Sequence, residues 1–290
     1  MVKYYLASLL TLLLVAVSSV AATTDNGKQT DTAYSAADSV FVETALSKAP
    51  ADAGEIYFAN LFLGRPYVAH TLEVNDSEQL VVNTRQLDCT TLVENVAALV
   101  LCSRSGERSF KAFREKLIRL RYRNGVLTDY TSRLHYFSDW IDDKNAMGLV
   151  SEVQAPQTVF TAVQTLDINF MSTHTKAYKA LAGHPAFVPV IASQEKKLTG
   201  KKYRFIPKDK VDGSKALRQA VHDGDIIAIT CSKPGLDIAH LGFAVWRKDG
   251  LHLLNASQLH KKVVLEPMTL GEYLKMHPTH TGIRVVRCKK

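Results

Sequence analysis

The chain changes its hydrophobic rhythm about two thirds of the way along. Residues 40–62 are Ala-rich with amphipathic spacing, which predicts a helix. Gly64-Arg65-Pro66-Tyr67 then breaks the pattern and opens a short extended piece. From Cys89 to Val100 the sequence CTTLVENVAALV is apolar around most of a helical circumference. A helix of that kind belongs at the centre of a fold, and Asp88 or Thr90 can cap its start. Residues 110–120 predict an amphipathic basic helix, and residues 170–181 (FMSTHTKAYKAL) another that ends before Gly183-His184-Pro185. Residues 132–141 (SRLHYFSDWI) mix aromatic and polar side chains with no clean period. After residue 225 short β-rich runs take over: DIIAIT (225–230), HLGFAVW (240–246), LHLLNAS (251–257), KVVL (262–265) and GIRVV (282–286). Turn signals such as Lys248-Asp249-Gly250 join them. Helices first and an antiparallel sheet last predict an α+β fold. No internal repeat and no linker interrupt residues 40–290, which read as a single domain.

Composition changes this picture only at the N-terminus. Of 290 residues, 46% are hydrophobic and 22% charged, an ordinary globular balance. Residues 1–22 (MVKYYLASLLTLLLVAVSSVAA) carry one positive charge at Lys3, an apolar stretch too short to span a bilayer comfortably, and small residues at a cleavage point. That is a secretory signal peptide, and it predicts a secreted or periplasmic protein. No Cys follows the cleavage region, so a lipid anchor is not expected. Residues 23–39 are polar and read as a disordered lead-in.

Thirty-six Lys and Arg against 28 Asp and Glu give a formal charge of +8; losing Lys3 with the signal leaves +7. The positive charges are scattered and carry no basic-aromatic motif, which argues against nucleic acid as a partner. An exported basic protein meets anionic polymers and membranes instead. The four cysteines, Cys89, Cys102, Cys231 and Cys288, show no staple spacing and no C-x-x-C metal pair. Cys89 and Cys102 on one helix would stand about 20 Å apart and cannot pair. Cys102, Cys231 and Cys288 read as buried, inert thiols, and neither metal nor cofactor is expected.

Cys89 stands apart because a helix N-terminus favours a thiolate, and the same N–H groups can hold an oxyanion. His240 opens a strand, and Asn255 lies on the next one. Antiparallel neighbours joined by a tight turn bring such positions side by side. Cys89, His240 and Asn255 thus form a candidate nucleophile, base and orienter. Asn255-Ala256-Ser257 also matches a glycosylation sequon, but its place inside a strand argues against that use. A plain core cysteine and a plain strand histidine remain the commoner fate of such residues.

Gly64-Arg65-Pro66-Tyr67, Leu87-Asp88-Cys89-Thr90-Thr91-Leu92-Val93 and Asp237-Ile238-Ala239-His240-Leu241-Gly242 resemble the G-x-P-Y, D-C-[ST] and H-x-G elements of papain-like, NlpC-type cell-wall hydrolases. Residues 50–288, including RLHYFSDWI and NFMSTH, look like the N-acetylmuramoyl-L-alanine amidase-like branch. The resemblance implies a small sheet packed on the Cys-bearing helix. It also implies cleavage of the amide between N-acetylmuramic acid and L-Ala in muropeptides, with anhydro forms as expected substrates. The third catalytic position is often His in that family and is Asn255 here, and Ala69 and His70 stand where glycines often follow G-x-P-Y. Further candidates for the cleft are Tyr67 and Asp88 beside the nucleophile, and Arg133, His135, Tyr136, Asp139 and Trp140 as a sugar- and peptide-reading wall. Ser172, His174 and Asp237 complete that set. Each has a bland alternative as a packed aromatic, a cap or a turn residue. An endopeptidase cutting the D-Glu to diamino-acid bond would use the same catalytic set. A non-catalytic peptidoglycan-binding module would have no need of it.

Overall fold

The computed structural model describes residues 32–289, so the expected signal peptide lies outside the described residues. The helices are α1 (Ala36–Lys48), α2 (Glu55–Asn60), α3 (Cys89–Arg104), α4 (Phe110–Arg121), α5 (Phe137–Ala146), α6 (Phe170–Thr173), α7 (Lys179–Gly183), α8 (Phe187–Leu198), α9 (Lys215–Ala220) and α10 (Leu270–Met276). The strands are β1 (Thr32–Ala33), β2 (Leu80–Val81), β3 (Val150–Val153), β4 (Ala162–Thr165), β5 (Lys202–Pro207), β6 (Ile226–Cys231), β7 (Ile238–Trp246), β8 (Leu251–Ser257), β9 (Lys262–Leu265) and β10 (His280–Cys288). β1 and β2 pair in parallel by themselves. The other eight build one antiparallel sheet in the order β4-β5-β10-β6-β7-β8-β9, with β3 also paired to β10. This is the α+β arrangement that the sequence pattern predicts.

The sheet has a core on each face. Ile226, Ala228, Leu241, Phe243, Leu254 and Ala256 pack against the helical layer of α1 to α5. Ile227, Ile229, Ala244, Leu253, Ile283 and Val285 point the other way, toward Leu217 of α9 and Leu270 and Leu274 of α10. Double coverage explains why β6 reads IIAITC, apolar without alternation: all six of its residues are buried. A strand with one wet face would alternate instead. Helix α3 is buried from Thr91 through Val100 and touches α4, α2, β7 and β8, so its all-round apolar surface is matched on every side.

Several boundaries differ from the sequence reading. The expected disordered lead-in is ordered from Thr32: β1 pairs with β2, and α1 begins at Ala36. The reason is Asp38, which is fully buried and accepts hydrogen bonds from Ser35 Oγ at 2.6 Å and from Thr84 N and Oγ1 at 2.9 and 2.8 Å. A polar stretch is ordered when its carboxylate has such partners. The single helix expected over residues 40–62 is two, because Ala49 precedes Pro50 and leaves helical geometry there. Residues 170–181 also break. Thr173 Oγ1 bonds Asn169 O at 2.7 Å and His174 Nδ1 bonds Phe170 O at 3.0 Å. Such side chains compete with the helical ladder for its carbonyls.

Helix α3 is held to α4 by an internal ion pair. Arg121 Nε lies 2.7 Å from Glu94 Oε2, and its Nη1 donates to Val81 O at 2.6 Å, with both side chains almost wholly buried. Removing one partner strands the other charge in the core. Arg121→Met is expected to cost about 3–5 kcal/mol, whereas Glu94→Leu with Arg121→Met together should recover most of it. Denaturant midpoints measure both, and a single variant as stable as wild type would contradict the account.

Candidate active site

The nucleophile candidate is placed by a cap. Asp88 is the N-cap of α3: its Oδ1 accepts from Thr91 N at 2.8 Å, and Thr91 Oγ1 accepts in return from Asp88 N at 2.9 Å. That reciprocal pair fixes Cys89 as the first residue of the helix, half-buried. The sulfur takes hydrogen bonds from the backbone of Leu241 and from the Thr90 backbone and hydroxyl. Leu241 follows His240 on β7, so the strand that bears the base runs against the start of α3. Cys89 and His240 line one cleft of about 250 Å³. The other three cysteines are buried and unbridged.

The base candidate is held by the neighbouring strand. β7 and β8 pair from Trp246↔Leu251 to Phe243↔Leu254, and Gly242 and Asn255 lie just beyond the last pair. His240 Nε2 is 2.8 Å from Asn255 Oδ1. A carbonyl oxygen only accepts, so Nε2 carries the proton and Nδ1 keeps its lone pair for the cleft. Gly242 makes this crossing possible. A Cβ there would stand 2.7 Å from Leu254 O and push β8, with Asn255, away from β7. Asn255 is fully buried, which also closes it to glycosylation. Its Nδ2 donates to Glu266 Oε1 at 2.9 Å, and His260 Nε2 is 3.1 Å from Glu266 Oε2.

Electrostatics overturn one expectation. The helix start was expected to leave the thiol largely ionised. Burial, with the Asp88 carboxylate beside it, instead pushes Cys89 up to about 12, against the hydrogen bonds from Leu241 and Thr90. Burial likewise holds His240 below the ordinary imidazole value, opposed by the Asn255 hydrogen bond and the Glu266 charge. Both shifts favour the neutral thiol and the neutral imidazole. Tyr67 sits close enough to Cys89 and Asp88 that burial and their charge raise its phenol to about 12. Among the described residues no three His, Cys, Asp or Glu side chains group as metal ligands.

Residues 57–283 match the family described as AmiA-like, N-acetylmuramoyl-L-alanine amidase-like. The chain belongs to that family. An N-acetylmuramoyl-L-alanine amidase from Bacteroides uniformis is 41% identical, with a TM-score of 0.76 over 81% of this chain and 97% of that one. A candidate xylanase from Bacteroides fragilis is 42% identical, with a TM-score of 0.73 over 79% and 98%. Protein LPG0564 from Legionella pneumophila shares the fold at 22% identity, with a TM-score of 0.67 over 88% of this chain and 95% of that one. No curated protein matches.

The remaining candidates divide into those that line the Cys89–His240 cleft and those that do not. Asp88, Arg133, His135, Tyr136 and Asp237 line it together with Cys89 and His240. Arg133 is buried between Glu73 and Glu78, each at 3.5 Å, with its guanidinium 4.8 Å over the Tyr130 ring. His135 bonds Tyr130 O at 2.9 Å, and burial beside Arg133 lowers it to about 3, so it stays neutral. Asp237 is no mere turn residue: it is buried and accepts from Ser138 N at 2.6 Å, tying the start of α5 to the β7 approach. Tyr136 donates to Glu195 at 2.6 Å.

Asp139, Trp140, Ser172 and His174 do not line this cleft, which corrects their place in the expected wall. Asp139 accepts two hydrogen bonds from Arg123, at 3.1 and 2.5 Å, and borders a different surface hollow. Trp140 is buried and stacks on Phe137 at 4.8 Å between ring centroids, as an aromatic core residue. Ser172 N bonds Glu195 at 3.2 Å, and the His174 ring stacks on Phe170 at 4.2 Å. Sequence reasoning missed Glu73, Tyr130, Met171 and Tyr178 in the wall, and Glu266 behind Asn255. Counting the β8–β9 hairpin register, Leu254↔Leu265, would have placed Glu266 near Asn255.

Proposed function

We propose that the protein is a cysteine amidase of papain-like, NlpC-type architecture that hydrolyses the bond between N-acetylmuramic acid and L-Ala in muropeptides, anhydro forms included, after export to the periplasm or beyond. The observation that carries it is Cys89 at the start of α3 in one cleft with His240, whose ring is held by Asn255 at 2.8 Å. Membership of the amidase-like family and 41% identity to the Bacteroides uniformis amidase support the bond.

In this mechanism His240 Nδ1 takes the thiol proton as the sulfur bonds to the lactoyl carbonyl carbon. The carbonyl π electrons move to oxygen, and N–H groups in the first turn of α3 hold that oxyanion. The C–N bond then breaks, and the imidazolium gives its proton to the leaving L-Ala nitrogen. His240 next deprotonates water, which attacks the thioester and releases the muramoyl acid and the free thiol. Every proton passes through Nδ1, since Nε2 stays on Asn255.

The description of the Bacteroides fragilis relative raises glycoside hydrolysis. That reaction needs two poised carboxyl groups, about 5 Å or about 6.5–9.5 Å apart. The acids lining this cleft are all engaged elsewhere: Glu94 by Arg121, Glu73 by Arg133, Asp88 by the helix cap and Asp237 by Ser138 N. The test is turnover on purified anhydro-muropeptides with products identified by mass. Free stem peptide beginning at L-Ala supports the proposal; products cut after D-Glu, or shortened glycan alone, overturn it. Activity is expected to survive EDTA and to be lost to thiol alkylation.

The lowered His240 gives a pH prediction. A general base works when neutral, so kcat/KM is lost as pH falls through its pKa in the free enzyme. Because burial holds that pKa below the ordinary value of about 6.5, the acid limb is expected to have its midpoint below about 6.5. A midpoint clearly above that value would mean that charge, not burial, governs His240.

A further inference from the structure

Asn255 is neutral, yet the group behind it is not. We propose that Glu266 is a positioning residue of this site: it orients the Asn255 amide, thereby sets the tautomer of His240, and supplies through that amide the negative charge that Asn255 lacks. The inference deepens the cysteine-hydrolase reading and rests on it for its catalytic consequence.

The geometry runs through two fully buried groups, Glu266 and Asn255, to the half-buried His240. A carboxylate only accepts hydrogen bonds, so Glu266 Oε1 at 2.9 Å must face the Asn255 amino group rather than its carbonyl. The other end of the amide, Oδ1, is thereby turned to His240 Nε2 at 2.8 Å. Were the amide reversed, its carbonyl oxygen would meet the Glu266 carboxylate, acceptor against acceptor, and its amino group would donate to Nε2, leaving the proton on Nδ1 and no base toward Cys89. Glu266 thus decides which nitrogen of His240 is the base, two residues removed from the chemistry. Glu266 and Asn255 are both fully buried, so the charge is screened little by water.

Other titratable groups face the same carboxylate. His260, on the β8–β9 turn, is the one ring beside the carboxylate with a partly exposed side chain, at 32%. His252 on β8 bonds the Glu266 backbone oxygen at 2.9 Å and holds Asp249 on its other nitrogen at 3.1 Å. Tyr273 on α10 is raised to about 12 by burial and by Glu266. His240 itself is faced by Glu266 and Asp88, which favour its charged form, and by His277, the C-cap of α10, which opposes it. Removing the Glu266 charge should therefore lower the His240 pKa and destabilise the imidazolium that forms during attack.

The experiment is a pH titration of the His240 ring by NMR in the full chain, with His260 and His252 assigned in the same spectra, alongside turnover on anhydro-muropeptides. Glu266→Gln keeps an oxygen for Asn255 and removes the charge. The His240 midpoint is expected to fall by about one pH unit, the low end of what a nearby opposite charge does. Turnover should fall about tenfold or more. The swap Asn255→Asp with Glu266→Gln moves the charge next to His240 and should raise the midpoint above wild type, which keeps the test open if the single variant does not fold. An unmoved midpoint in Glu266→Gln, or a swap with no rise, overturns the proposal. The ring titration needs no substrate, so it stands or falls separately from the identity of the scissile bond.

Discussion

Cys89→Ala is expected to reduce muropeptide turnover on the order of 10⁴-fold or more, the scale reached when a catalytic nucleophile is removed. No neighbouring group in the cleft can replace it. The hydroxyls of Thr90 and Thr91 are tied to the Cys89 sulfur and to the Asp88 cap. The fold should survive, because Asp88 rather than Cys89 caps α3. A melting temperature within a few degrees of wild type is the matching control. Cys89→Ser should be equally silent, since a hydroxyl is harder still for a burial-weakened imidazole to deprotonate.

Alkylation separates this mechanism from a preformed thiolate. A thiol pushed up to about 12 reacts with iodoacetamide only as fast as His240 can take its proton. Cys89 should therefore label faster than the buried Cys102, Cys231 and Cys288, and His240→Ala should slow that labelling steeply at pH 8. Labelling that ignores His240 would mean that the helix N-terminus ionises the sulfur unaided. Wild-type turnover in Cys89→Ala would remove the cysteine mechanism altogether.

What the sequence disclosed and what it hid follow from the range of the interactions. The α3 start was legible because a cap, a nucleophile and an all-round apolar run sit within one dozen residues. The β7–β8 hairpin was legible because tight turns convert sequence distance into register, so His240 and Asn255 could be paired on paper. The ionisation of Cys89 was not, because it depends on which atoms cover the sulfur, and those come from β7. Trp140 and Asp139 were assigned to the wall by composition, yet helix α5 turns Trp140 into the core and commits Asp139 to Arg123. Strands β3, β4 and β5 escaped notice because their pairing is not local, with partners up to 138 residues away, as Val150↔Cys288 shows. Glu266 escaped because its role exists only through Asn255.

Asn255→Ala is expected to lower kcat by roughly 10- to 1,000-fold with little change in KM, the range that acid–base assistance spans. Asn255 lies behind the imidazole, fully buried, and does not itself line the cleft, so substrate binding has no direct stake in it. What the variant loses is the 2.8 Å hold on Nε2 and, with it, the tautomer that leaves Nδ1 basic. Stability must fall as well. Glu266 Oε1 loses its 2.9 Å donor in a dry site, at a cost of about 1–3 kcal/mol. A lowered melting temperature therefore does not discriminate, and kcat must be expressed per folded molecule. Asn255→His offers the sharper reading. An imidazole can donate to Glu266 from one nitrogen and accept from His240 Nε2 with the other, rebuilding both bonds with the same polarity. Much of the lost kcat should return, and the acid limb should lie closer to wild type than in Asn255→Ala. If Asn255 serves only to satisfy Glu266, Asn255→Ala will show normal kcat per folded molecule and Asn255→His will restore stability alone, and the orienter role is then lost.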